Sequence, residues 1–240
     1  MNFVLHAHLA EWDHGDPAVT LGAMLPDLWR MVARPARSKR GVSVPGVDPA
    51  LASILAGVEH HLEVDRWFHE SRHFRLGEAA TTEALGTVPR ELSPRLRLFG
   101  HVTWEMCLDG ALVRRLGVPA LARTLSRAVR DGTTAAKRAA ELHHGEARRA
   151  AGLDDAVFEE RMGRLLEAVS SFALPEGYAY AEGVAARLAG IRRALGIGYA
   201  TSVERARWAE AIAAIEPLAD DAVAALLTDE TRARATIKRP

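Results

Sequence analysis

From about Pro49 to His73 the chain repeats its apolar residues at the period of a helix. In LASILAGVEHHLEVDRWFH, Leu51, Ile54, Leu55, Val58 and Leu62 fall within about 60° of one face of a wheel drawn at about 100° per residue. A periodic run of this length is too long for a strand, so it commits the chain to packing at least one long helix against others. The same pattern returns along the chain, β-branched residues are sparse, and most punctuation is a single Gly or Pro. The expectation is an all-α helical bundle.

Helices are expected from the start to about Trp12, from Pro17 to Met31, from Pro49 to His73, and from Ser93 to Leu116, where SPRLRL offers Ser93 as N-cap and Pro94 at the first helical position. Further helices are expected over 119–130, 133–151, 154–171, 182–195, 202–215 and 219–227. RPARSKRGVSVPGVDP, from Arg34 to Pro49, carries every breaker signal and reads as a loop, and the tail TDETRARATIKRP reads as frayed. All ten histidines precede position 145 and eight precede position 102. Residues 1–150 are therefore read as the chemical core and 151–240 as a C-terminal helical extension, or the two as one continuous domain of 240 residues.

Lys plus Arg equal Asp plus Glu at 31 each, so there is no global field to attract nucleic acid. The one cysteine, Cys107, excludes an internal disulfide framework and fits a reducing compartment. MNFVLHAHLA lacks a basic n-region and is followed by Glu11, Asp13 and Asp16, which argues against a signal peptide. No apolar run approaches the roughly 20 residues of a membrane span. The cytoplasm is the expected compartment.

The polar residues inside the apolar faces carry the chemistry. Asp65 and His69 lie about 20° from the centre of the Val58 stripe, and His61 lies near its edge. On the later helix RLRLFGHVTWEMCLDGALVRRL, His101 and Glu105 share a face with Leu98, Leu108, Leu112 and Leu116, while Asp109 lies about 80° away. A carboxylate on an apolar face costs several kcal/mol unless it is paired or holds a cation. Residues at i and i+4 project side by side, so two such helices can present His61, Asp65, His101 and Glu105 to a metal. His6 and His8 diverge by about 200° on a helix, so one of them is expected to be a ligand. His60, His143 and His144 read as surface residues, His14 as an uninvolved residue of a polar turn, Trp67, Phe68 and Trp104 as packing residues, and Cys107 as a buried small residue.

MNFVLHAHLA, TLGAMLPDLW, AGVEHHLEVDRWFH and HVTWEMCLDGAL follow the order and approximate spacing of the acyl carrier protein phosphodiesterase family, over roughly positions 1–115. This resemblance implies a divergent HD-type metal-dependent phosphohydrolase, all-α, that removes the phosphopantetheine arm from its carrier protein with a divalent cation, typically manganese. It maps the family's N-terminal motif onto Met1, Asn2, Phe3 and His6, its second onto Gly22 and Asp27, and its Gly-x-x-x-His-x-x-x-Asp core onto Gly57, His61 and Asp65. The chain departs where the family has a second Asp, here His69, and where an Asp-x-x-x-Asp-His motif stands as His101, Glu105 and Met106. Met106 can be neither ligand nor proton donor, whereas the other replacements are good ligands. His-x-x-x-Asp followed by His-x-x-x-Glu, with an upstream Asp and an N-terminal His, also resembles the ligand order of the zinc-dependent phospholipase C family.

The expected function is thus hydrolysis of a phosphoric ester, in particular a phosphodiester of phosphopantetheine, phospholipid or nucleotide type. The expected ligands are His6, Asp27, His61, Asp65, His69, His101 and Glu105, holding manganese, zinc or iron, with Asp65 and Glu105 in catalytic roles. Arg34, Arg37, Lys39 and Arg40 in the basic loop are candidates to receive the substrate phosphate or an acidic acyl carrier protein. The competing expectation is a non-catalytic helical binding protein that keeps a structural metal.

Overall fold

Capping chemistry sets several helix boundaries. Helix α1 (Phe3–His14) is closed by Gly15, which takes the left-handed conformation at φ 64° and donates its N–H to the Glu11 carbonyl. Helix α2 (Pro17–Val32) opens on Asp16, whose carboxylate accepts from the Ala18 N–H at 2.8 Å, with Pro17 at the first helical position. Then come α3 (Pro49–Glu70), α4 (Arg72–Gly86), α5 (Leu96–Leu116) and α6 (Val118–Ala140), which runs into a π-helical turn at Glu141–Gly145. The short α7 (Glu146–Ala150), α8 (Asp155–Ser170), α9 (Ala173–Gly177) and α10 (Ala181–Ala194) precede α11 (Ser202–Leu226), which opens on a Thr201/Glu204 capping box. This computed structural model describes residues 2–86 and 95–228, and every regular element among them is helical. Ser93 and Pro94, expected to start a helix, and most of the tail expected to fray lie outside the described residues.

Several boundaries differ from the sequence expectation for local reasons. The helix expected to reach His73 ends at Glu70, because Ser71 caps a new helix by accepting the Phe74 N–H at 3.1 Å. That new helix, α4, has no counterpart in the expected set. Gly132, expected to separate two helices, lies inside α6. A Cβ there would stand 2.6 Å from Leu21 Cδ2, so this glycine permits close packing and does not break the helix. Pro217 likewise lies inside α11, where buried Ile212 and Ile215 before it and Ala219, Ala222 and Val223 after it keep one continuous packed face.

The chain forms two compact units that interleave in sequence, Met1–Arg66 with Gly117–Leu174, and Trp67–Leu116 with Pro175–Pro240. The divisions fall at 66, 116 and 174. In the first unit α1, α2, α6 and α8 pack on one another around Leu21, Leu25, Trp29 and Leu125. Helices α2 and α3 meet backbone to backbone there. A Cβ on Gly22 would lie 2.2 Å from the Ile54 carbonyl oxygen, and one on Gly57 would lie 2.1 Å from that of Val19. In the second unit α4, α5, α10 and α11 pack around Phe99, Trp104, Trp208 and Ile212. Gly77 of α4 lies under the Trp104 indole, where a Cβ would come within 2.0 Å of the ring. The close approach of α4 and α5 sets Glu78 beside His101.

His143 and His144, expected at the surface, are each 1% exposed. The π-turn adds a residue to the helical circuit and rotates both inward, where their rings pack on Trp29 at 5.3 and 4.6 Å. His143 Nδ1 accepts the Lys39 N–H at 3.1 Å, and His144 Nδ1 lies 3.3 Å from an Arg148 nitrogen that can only donate. Both imidazoles are therefore neutral. Burial, aided by Lys39, holds His143 at about 4, and burial with Arg148 holds His144 at about 3.

Unfolded, both would titrate near 6.5, so folding expels protons below that pH. Stability is fully present above pH 6.5 and falls as pH drops toward about 4 and 3. Acid unfolding monitored by circular dichroism should show a loss on the order of 2 kcal/mol per histidine by pH 5. His144→Phe, which keeps the aromatic packing, should remove about half of it.

Candidate metal centre

Helix α1 supplies His6 and helix α3 supplies His61 and Asp65, and one donor atom from each lies within 4.8 Å of the other two. All three belong to the first unit. The i, i+4 spacing sets His61 and Asp65 side by side, and the Gly22–Gly57 crossing presses this part of α3 against α2. His61 Nδ1 thereby reaches the Ala23 carbonyl oxygen at 2.8 Å. A carbonyl only accepts, so Nδ1 carries the proton and Nε2 presents its lone pair. His6, 0% exposed, stacks on His61 with ring centroids 3.8 Å apart, and its Nε2 stands 4.0 Å from Asp65 Oδ1. Asp65 is half-exposed, which leaves this triad an open side.

A second triad, His69, His101 and Glu105, belongs to the second unit. Glu105 is 5% exposed, and one of its oxygens stands 3.4 Å from His69 Nε2 and 3.3 Å from His101 Nε2. Donors bound about 2.0–2.2 Å from a tetrahedral cation sit about 3.4 Å apart, so these edges match such a site. His101 is oriented from behind, with Nδ1 3.1 Å from Glu78 Oε1 on α4. This repeats the carboxylate–imidazole arrangement that commonly aims a metal-binding histidine.

Its electrostatics follow from that geometry. Burial works against the Glu105 carboxylate, but hydrogen bonds from His101 and His69 help hold it well below the usual range. Burial also works against a charged His101, yet its bonds to Glu105 and Glu78 raise it above the ordinary value. A neutral His101 donating to Glu78 would aim a lone pair at a carboxylate. The triad therefore requires a positive charge between these groups, as a proton or as a cation.

No family model, curated protein or solved structure matches this chain. The site rests on its geometry.

Of the seven expected ligands, the structure brings six into the two triads. Asp27 is half-buried on α2 and belongs to neither. Of His6 and His8, His6 joins a triad, and His8 packs edge-on against Trp12 at 5.7 Å. His60, expected to face solvent, is 8% exposed because Asp13 on α1 covers it with a 3.0 Å hydrogen bond to Nε2. Asn2, next to α1, is buried, and neither side-chain amide atom has a hydrogen-bond partner among the described residues.

Arg34, Arg37, Lys39 and Arg40 are exposed, and their loop is anchored by more than its ends. Arg40 donates to the Leu62 carbonyl at 2.7 Å and Gly41 N–H to Glu59 at 2.6 Å. Trp104 is fully buried, as expected. Cys107 is also buried, and burial pushes its thiol up to about 12, which leaves it no thiolate to use as a nucleophile. Glu78 is the residue the sequence reading passed over, since its helix was not anticipated. The one available signal was Ser71-Arg72-His73-Phe74, a capping residue ahead of a new helical run.

Proposed function

We propose that this chain is a metal-dependent hydrolase of phosphoric esters, with phosphodiesters as its substrate class. The observation that supports this most is that each triad comprises two imidazoles and one carboxylate, with an imidazole in each locked from behind through Nδ1. Three protein donors with a remaining open position are the pattern of catalytic sites, whereas structural sites are closed by four. A divalent cation bound there would supply Lewis acidity toward a phosphoryl oxygen. Manganese, zinc and iron all suit a mixed imidazole and carboxylate set.

The chain's own residues have distinct tasks in this reading. His6, His61, His69 and His101 bind, and Ala23 and Glu78 orient. Asp65, half-exposed, is placed to accept a proton from an attacking water, while Glu105, held ionised, neutralises charge. Arg34, Arg37, Lys39 and Arg40 are the residues proposed to meet a second phosphate or an acidic carrier protein. In this proposal the diester is of phosphopantetheine, phospholipid or nucleotide type, a choice that product analysis decides.

The test is turnover of bis-nitrophenyl phosphate with added manganese or zinc. Activity that disappears in Asp65→Ala supports the hydrolase. Stoichiometric metal without turnover of any diester or monoester would replace it with a metal-holding binding protein. A finer prediction concerns Glu78→Gln, which leaves all six proposed ligands in place. Because it weakens only the group that aims His101, zinc affinity at the second triad should fall about 10–100-fold in a competition titration.

A further inference from the structure

The first unit contains a cavity of about 520 Å³ walled by α2, α6 and α8, with the π-turn and α7 at one side. That is within the roughly 300–1,000 Å³ of small-molecule sites. Its wall is mainly apolar, formed by Leu25, Trp29, Phe158, Met162 and Leu166. Small residues keep it open. Ala136 and Ala140 face it from α6, and Gly163 faces it from the middle of α8, where an added Cβ would meet nothing within 4 Å. A glycine there weakens its helix and packs against nothing, so its local effect is the space it leaves.

The charges around the cavity are already matched. Lys137 pairs with Glu159 at 2.8 Å, Arg138 with Asp48 at 2.5 Å, and Arg148 with Asp155 at 2.9 Å and Glu141 at 3.3 Å. An anionic ligand would meet carboxylates that these cations already serve, and a cationic one would meet the cations. One polar group remains unused. Arg148 is 4% exposed, its guanidinium lies 4.0 Å over the Phe158 ring, and its Nε–H has no hydrogen-bond partner among the described residues. A buried donor left unpaired is costly, and a ligand oxygen would satisfy it.

We infer that this cavity is a binding site for a small, uncharged, mostly apolar molecule bearing a hydrogen-bond acceptor such as a ketone or ester carbonyl, which the Arg148 Nε–H receives. The site is independent of the metal triads and of the proposed hydrolysis.

The test uses the whole chain and prodan, a neutral naphthyl ketone whose emission shifts to the blue in apolar surroundings. Saturable binding of one prodan per chain is expected, tighter than that of the anionic dye anilinonaphthalene sulfonate. Gly163→Trp on α8 and Ala136→Phe on α6 both fill the cavity and should each weaken binding about tenfold or more. Arg148→Lys keeps a charge for Glu141 and Asp155 but lacks the Nε–H, and should weaken it about fivefold. Absence of saturable prodan binding, unchanged binding in both filling variants, or tighter binding of the anionic dye overturns the inference. If Arg148→Lys fails to fold, the filling variants and the dye comparison still decide.

Discussion

Gly57→Val should leave the first unit unable to fold, and Gly57→Ala should cost about 3 kcal/mol. In an exposed helix, replacing Gly by Ala stabilises by about 0.5–1 kcal/mol because glycine has more backbone freedom to lose. The sign reverses here because the new Cβ would sit 2.1 Å from the Val19 carbonyl oxygen and 2.8 Å from both the Ala23 nitrogen and the Gly22 Cα. These are backbone atoms of a packed helix, which cannot swing aside as a side chain can. The helices would have to separate, opening the contacts of Leu21 and Ile54 and stretching the 2.8 Å bond from His61 to Ala23. Thermal melting should show a fall of about 6–12 °C for Gly57→Ala. Gly163→Ala in the same unit, with open space around the new methyl, should raise the midpoint slightly. Equal behaviour of the two alanine variants would show that α2 and α3 do not meet in this way.

Glu105→Ala should abolish cation binding at the second triad and, with it, at least about 10³-fold of any diesterase activity. The variant removes the one carboxylate shared by His69 and His101 and leaves two imidazoles, too few donors to compete with water for zinc or manganese. Some instability accompanies it, since Glu105 is buried and carries two hydrogen-bonded partners, and about 1–3 kcal/mol is expected. Asp65→Ala separates the two effects better. Its side chain is 36% exposed and lies 4.0 Å from His6, so its removal should cost little stability while emptying the first triad. Comparable kcat/KM for wild type and both variants would remove the carboxylates from the chemistry.

How much of this was legible in the sequence depends on which interactions are local. The two i, i+4 pairs and their placement among apolar residues follow from helical geometry alone, and both survive in the structure. Their completion by His6 and His69 depends on which helices approach, and it is the close contact of Gly22 with Gly57 that seats α3 against α2. Those glycines were visible as motif positions, but their purpose was not. Gly132 and Pro217 misled for the converse reason, since both read as breakers and both sit within helices held by packing on either side. His143 and His144 read as surface residues because their helix is highly charged, whereas the π-turn rotates both inward. Their surroundings in sequence are charged, yet Arg148 spends its charge on Glu141 and Asp155 and leaves an apolar face inward. The basic loop read as a breaker-rich segment carrying candidate phosphate-binding cations, and its hydrogen bonds to α3 come from residues distant in sequence.

The central claim, that both His and carboxylate triads hold divalent cations, is tested most directly by counting ions. Purified chain is saturated with zinc, passed free of unbound metal, and assayed by inductively coupled plasma mass spectrometry beside Asp65→Ala, Glu105→Ala and the double variant. Two ions per chain are expected, one in each single variant and none in the double, matching the two groups of three donors. Wild-type protein that carries no metal above the buffer blank, or metal content unchanged in both single variants, would contradict it.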